Sequence, residues 1–300
     1  MSDNASLPFV ELCEVGPRDG FQFETTPIPT GFKVASMQRM LDAGLRRIQA
    51  TSFVHPGRVP QMADADSVLA ALPRDERITA LALNLRGVDR AIEAGVTTVD
   101  LSIALNEQHA ADNANTTVEA GVRAAEEMIS RARGAGLRVQ LGLQTVWGYA
   151  SPDDTPRALI ESVVERFAQS DLESLSLADS TGMASPKSIR SVLDSVGARV
   201  GDIPLVLHLH DTRGLGLANV VAALEAGVRR FDTSLGGLGG CPFIPGATGN
   251  VATEDVAYLC ERMGYDTGID IVQVAAVSRD VEALVGRPLS GKMYRLVAQA

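Results

Sequence analysis

Apolar and polar positions along the chain fall into two alternating patterns. Short apolar runs recur at residues 9–15, 46–53, 78–84 and 97–103, and again at 138–144, 174–180, 205–210 and 230–236. Runs of this length predict strands buried in a sheet. Between them lie stretches with apolar residues at helical spacing, among them KVASMQRMLDAG, EAGVRAAEEMISRARGAG and ANVVAALEAG. Four such helices end in Ala-Gly just before the next strand, at Gly44, Gly95, Gly136 and Gly227. Glycine suits the left-handed C-cap, which it adopts more cheaply than any other residue.

Strand–helix alternation without a linker or composition break builds a parallel sheet. Eight strands over about 230 residues fit an α/β fold of the closed (β/α)8 TIM-barrel type. An open doubly wound sheet is the runner-up, but no G-x-G-x-x-G follows the first strand. After Asn250, TEDVAYLCERMG and IDIVQVAAVSRDVEALVG read as two further helices. We therefore expect one barrel domain over residues 1–300, with 251–300 forming C-terminal helices packed on or capping the barrel.

Composition narrows the surroundings. The chain has 300 residues and a net charge of −10, which argues against nucleic acid or an anionic membrane as partner. Its N-terminus lacks the basic and apolar regions of a secretory signal, and no run is long enough for a membrane span. The three cysteines, Cys13, Cys241 and Cys260, are widely spaced and resemble neither a disulfide framework nor a zinc cluster. A cytoplasmic protein, assembled as a homo-oligomer (dimer or tetramer), is the expectation.

Active sites of such barrels lie at the C-terminal ends of the strands. Polar residues predicted there are Arg18 and Asp19, Gln49 with Thr51, Asn84, Gln144, Asp179 with Ser180, and His208, His210 and Asp211. Two of the four histidines thus share VLHLHDTRG. Residues i and i+2 of a strand face the same way, so His208 and His210 aim together into the barrel mouth. Paired imidazoles beside carboxylates predict a metal site, with Asp19 and Asn250 supplying oxygen ligands. The mixed set suits Mg²⁺ or Mn²⁺, and zinc fits by ligand type. Cys241 lies in a loop with Gly236, Gly237, Gly239, Gly240 and Gly246, which fits a mobile lid delivering an acid or base. A phosphate-cradling loop is the alternative, but the Lys-Ser/Thr ending of a P-loop is missing. Cys13 and Cys260 read as packing residues, and His55 and His109 as solvated loop residues.

Four stretches, EVGPRDG (14–20), ATSFVHPGRVPQMAD (50–64), HLHDTRGLGLANV (208–220) and GGLGGCPFIPGATGNVATEDV (236–256), resemble the 3-hydroxy-3-methylglutaryl-CoA lyase family. The resemblance implies a metal-dependent barrel lyase that splits an acyl-CoA substrate into acetyl-CoA and acetoacetate. It also implies that Asp19, His208, His210 and Asn250 hold the cation, Arg18 steadies the thioester enolate, and Cys241 is the lid residue. Asp211 is then expected to orient one of the histidines from behind. The catalytic set is Arg18, Asp19, His208 and Cys241, with His208 and Asp19 both candidates for the first base. Gln22, Gln49, Asn84, Gln144, Asp179 and Ser180 are expected to bind substrate.

The chain departs from the family at the substrate end. Gln49 stands where the family usually carries Glu, Ala111-Asp112 replace a pair of lysines, and Gln144, Thr145, Trp147 and Tyr149 replace smaller residues. A related thioester such as citramalyl-CoA, cleaved to acetyl-CoA and pyruvate, is the alternative substrate. A Claisen-type synthase usually adds a regulatory domain. A metal-dependent hydrolase places H-x-H after its first strand and needs further ligands. A non-catalytic scaffold would have no need of metal ligands, Arg18 and Cys241 together.

Overall fold

The computed structural model describes residues 7–240 and 249–297. Its strands are β1 (Glu11–Glu14), β2 (Arg47–Ser52), β3 (Ile78–Ala82), β4 (Thr98–Ala104), β5 (Arg138–Gln144), β6 (Ser174–Asp179), β7 (Leu205–Leu209) and β8 (Arg230–Thr233). Each falls within one residue of a predicted run or inside it. They pair in parallel and in sequence order, and β1 returns to β8 with Glu11 opposite Arg230, which closes the barrel. The fold is the (β/α)8 barrel.

The helices between strands are α1 (Thr30–Asp42), α2 (Ala65–Ala71), α3 (Leu85–Ala94), α4 (Glu107–Ala114), α5 (Val118–Gly134), α6 (Arg157–Phe167), α7 (Pro186–Gly197) and α8 (Gly216–Glu225). After β8 come α9 (Thr253–Arg262), α10 (Ile271–Val285) and α11 (Met293–Leu296). Gly44, Gly95, Gly136 and Gly227 all have positive φ, from +73° to +99°, as the helix-ending pattern requires. α9 follows β8 and packs on α8 and β1, so it is the eighth helix of the outer ring. Beyond the ring lie the short α4, which shares the β4–β5 connection with α5, and α10 and α11; α10 covers α1 and α9.

The strands alternate in an unusual sense. Outward positions such as Ile48, Val99, Leu101, Val139, Leu141, Leu175, Leu177 and Leu207 are apolar and form the core beneath the helices. Inward positions are polar. Arg47 and Gln49 of β2 bond to Asp100 of β4, and Ser176 of β6 lies 3.4 Å from Asp232 of β8. These contacts skip a strand, so they cross the barrel interior. Barrel interiors are ordinarily filled by layers of branched aliphatic side chains; here hydrogen-bonded polar groups occupy much of that space and lead up to the mouth.

Candidate metal centre and active site

The turn after β1 is built around its glycines. Gly16–Gly20 (GPRDG) forms one π-helical turn, with the Asp19 N–H donating to Val15 O at 2.6 Å. A Cβ on Gly16 would meet Glu14 Oε1 at 2.5 Å, and one on Gly20 would meet Leu238 Cβ at 2.7 Å. The close fit fixes where Arg18 and Asp19 point. Asp19 is 7% exposed, and Arg18 Nη1 bonds its Oδ1 at 2.5 Å. Gln22 Nε2 donates to the same oxygen at 3.1 Å.

His208 and His210 share one face at the end of β7, with their Nε2 atoms 3.1 Å apart. Asp19 Oδ2 lies 3.9 Å from His208 Nε2. Ligand atoms of Asp19, His208 and His210 all fall within 4.8 Å of one another, and these are the only such group among the described residues. Asn250 comes from the far side of the loop after β8. The Asp211 N–H donates to Gly249 O and the Val251 N–H to Leu209 O, so residues 249–251 lie along the end of β7 and bridge Asn250 to His210. Asn250 Nδ2 donates to Asp19 Oδ2 at 2.8 Å and to Leu238 O at 3.0 Å. Its Oδ1 is buried without a hydrogen-bond partner, as is His210 Nδ1.

The donor set fits a divalent cation. Adjacent ligands at about 2.1 Å from a metal stand about 3 Å apart, which matches the separation of the imidazole nitrogens. The orphaned Asn250 oxygen is an acceptor that protein donors leave free for a cation. The charges agree. Although burial works against it, the Arg18 guanidinium and then His208 hold the Asp19 carboxyl below its ordinary range. Burial, and then the charge of His208, pushes His210 down to about 3, so its imidazole is neutral. For His208 burial again opposes protonation, but Asp232 and Asp19 outweigh it and raise its pKa.

Asp232, not Asp211, stands behind His208. It lies opposite His208 in the β7–β8 register, with Oδ2 3.3 Å from His208 Nδ1. Asp211 instead accepts from the Gly216 N–H at 2.7 Å at the start of α8, and Lys292 Nζ lies 3.8 Å from it. The expectation for Asp211 is overturned by strand parity, since the residue after His210 faces the other way. His109 is a second correction. It is buried on α4, a helix capped by Asn106, and stacks on Tyr149 with ring centroids 4.9 Å apart.

The other predicted residues divide. Gln49 is 4% exposed and accepts from Arg18 Nε. Asp179 is buried at the end of β6, where it accepts from the N–H groups of Met183 and Ala184. Burial pushes its pKa up to about 6 despite those bonds. Ser180 Oγ accepts from the Thr145 N–H, and Gln144 ends β5 half-buried. Asn84 is exposed and caps α3 by accepting from the Gly87 N–H at 2.9 Å. Cys241 falls in residues 241–248, outside the described residues. Cys260 packs in the hydrophobic core, whereas Cys13, also buried, is flanked by the polar groups Arg47 and Asp232. Sequence reasoning missed Asp232, Asp100 and Arg47; the available signal was a charged residue inside an otherwise apolar strand.

The HMGL-like family model matches residues 9–281. A hydroxymethylglutaryl-CoA lyase of Bacillus subtilis is 35% identical over 285 residues, covering 94% of this chain and 95% of that protein. The (R)-citramalyl-CoA lyase of Chloroflexus aurantiacus is 37% identical over 298 residues, covering 93% of this chain and 92% of the other. An HMG-CoA lyase from Acinetobacter baumannii, solved with coenzyme A and 3-methylmalate, superimposes with a TM-score of 0.89 at 35% identity, covering 96% of this chain and 94% of that one. With the fold, the clustered ligands and these relatives in agreement, the chain belongs to the HMGL-like family and is a lyase.

Proposed function

We propose that the protein is a divalent-metal-dependent carbon–carbon lyase. It cleaves a 3-hydroxy-3-methylglutaryl-CoA-like thioester in a retro-aldol sense to acetyl-CoA and a keto acid, acetoacetate for that substrate. The observation that carries this reading is the buried Asp19–His208–His210 cluster with Arg18 hydrogen-bonded at its edge. Asp19, His208, His210 and Asn250 hold the cation, Mg²⁺ or Mn²⁺. When bound, it polarises the substrate's hydroxyl and carboxylate oxygens and lowers the pKa of the alcohol. Arg18 offsets the charge that develops on the thioester oxygen as the carbon–carbon bond breaks. Two of its nitrogens are tied to Gln49 and Asp19, and among the described residues Nη2 has no partner, which leaves it for the substrate. Asp19 or His208 takes the hydroxyl proton as the carbon–carbon bond breaks, and Cys241 returns a proton to the enolate carbon. Gln22, Gln144, Asp179 and Ser180 lie around the mouth, where the acyl group enters.

A second substrate is favoured by a specific observation. The departures at Asp112 and Tyr149 touch each other, Tyr149 Oη donating to Asp112 Oδ2 at 3.0 Å. Citramalyl-CoA, for which the 37% identical Chloroflexus aurantiacus relative is named, is the related thioester that uses the same bond cleavage. The test is release of acetyl-CoA from both thioesters with Mg²⁺ or Mn²⁺. Release from either, lost in His210→Ala, supports the lyase reading. No release from any hydroxyacyl-CoA with either metal overturns it.

A further inference from the structure

Beneath Arg18, inside the barrel, lies a chain of side chains that the reaction above leaves unused. Arg18 Nε donates to Gln49 Oε1, and Gln49 Nε2 donates to Asp100 Oδ2 at 2.6 Å. Thr79 Oγ1 donates to the same oxygen at 2.6 Å. Arg47 closes the chain from the other side, with Nη2 2.7 Å from Asp100 Oδ1 and Nη1 3.3 Å from Glu173. Arg47, Gln49, Thr79 and Asp100 are all buried.

Chemistry dictates the direction of every bond. Guanidinium groups only donate and a carboxylate only accepts. Whatever stands between Arg18 and Asp100 must therefore offer an acceptor on one side and a donor on the other. A glutamine amide does both, and its orientation is set by its two neighbours. A carboxylate at position 49 would satisfy Arg18 but face Asp100 with no proton between them, two like charges in a buried space. A glutamate at position 49 is thus incompatible with Asp100 as placed here.

We infer that Asp100 is a positioning residue for Arg18, acting through Gln49. The inference rests on the reading of Arg18 as the group that meets the thioester oxygen. With Nε held by Gln49 and Nη1 by Asp19, the guanidinium is oriented before substrate arrives, which is what preorganised stabilisation of developing charge requires. Gln49 and Asp100 act as one unit, with Arg47 balancing the carboxylate.

The experiment exchanges the two groups. Gln49→Glu should lower kcat by about ten-fold or more with KM changed less than about three-fold. In the double variant Gln49→Glu/Asp100→Asn the asparagine amide donates to the new carboxylate, which still accepts from Arg18, and kcat should return to within about three-fold of wild type. Gln49→Leu breaks the chain without adding charge and serves if Gln49→Glu does not fold. A readout independent of turnover is hydrogen exchange of the Arg18 Nε–H in arginine-labelled protein, its resonance identified by its loss in Arg18→Lys. Exchange should quicken at least about ten-fold in Gln49→Leu and recover in the exchanged pair. Wild-type kcat and exchange in Gln49→Leu, or an exchanged pair no better than Gln49→Glu, overturns the inference. If the exchange pattern holds but no hydroxyacyl-CoA is cleaved, positioning stands and the proposed function falls; normal cleavage indifferent to these variants gives the reverse.

Discussion

Asp232 touches no cation in the proposed site, yet the site depends on it. Its carboxylate, 3.3 Å from His208 Nδ1, holds the ring so that Nε2 faces Asp19 and His210. Partners of this kind set tautomer and ring orientation, and losing one costs about ten- to a hundred-fold in metal affinity. Asp232→Asn should therefore weaken Mn²⁺ binding by about that factor in calorimetry, with the fold retained. Asp211→Asn should change it by less than about three-fold, because Asp211 serves the Gly216 N–H at the start of α8. Equal losses in both variants would return the role to Asp211. Arg18 makes a different contribution. If its free Nη2 meets charge that appears only as the bond breaks, Arg18→Gln should lower kcat by on the order of a hundred-fold with a smaller change in KM. A variant altered only in KM would reduce Arg18 to a docking contact.

Elements bring these residues together, and the loop after β8 does so by close backbone approach. Gly239 has φ +121°, and a Cβ there would sit 2.5 Å from Asn250 Nδ2; one on Gly249 would meet the Gly239 carbonyl at 2.7 Å. The two arms of the loop pass so closely that only glycine fits, and Asn250 is pressed toward Asp19. Gly239→Ala should cost about 1–3 kcal/mol of stability and weaken metal binding together, read by urea unfolding and calorimetry. Unchanged binding would separate the loop's packing from the site. The strands themselves were legible as runs because their outward faces are continuously apolar. His208 and His210 were legible because parity within a single strand puts them on one face. What escaped was pairing across the interior. Asp100 on β4 meets Gln49 on β2, and Asp232 on β8 meets His208 on β7. No one-strand pattern carries that information, so the carboxylate nearest in sequence, Asp211, was preferred to the one nearest in space. His109 escaped because a short helix with a polar face reads like a loop until its Asn106 cap is seen.

At the scale of the whole molecule the barrel must close between β1 and β8, and a buried acid stands at that seam. Glu14 Oε1 accepts from the N–H groups of Gly16 at 2.7 Å and Leu235 at 3.0 Å, and its Oε2 lies 2.7 Å from Thr253 Oγ1 at the start of α9. One side chain thus joins the first strand, the turn after the last and the eighth helix of the ring. It is fully buried, and burial raises its pKa from 4.5 to about 8 in spite of these bonds. Burial thus favours the protonated acid in the folded protein, against the Thr253 hydroxyl, which donates to Oε2 and favours the carboxylate. The unfolded chain has released that proton once the pH exceeds about 4.5, so stability from this group falls as pH rises toward about 8 and is level outside that window. Glutamine has the shape and the donor of the protonated acid without the titration. Relative to wild type, Glu14→Gln should gain stability steadily between pH 5 and pH 8, by on the order of a few kcal/mol in total. Urea unfolding of both proteins at several pH values measures it, the difference between them cancelling groups they share. A difference that stays flat across the window would mean that Glu14 closes the barrel as a carboxylate, held by its three donors.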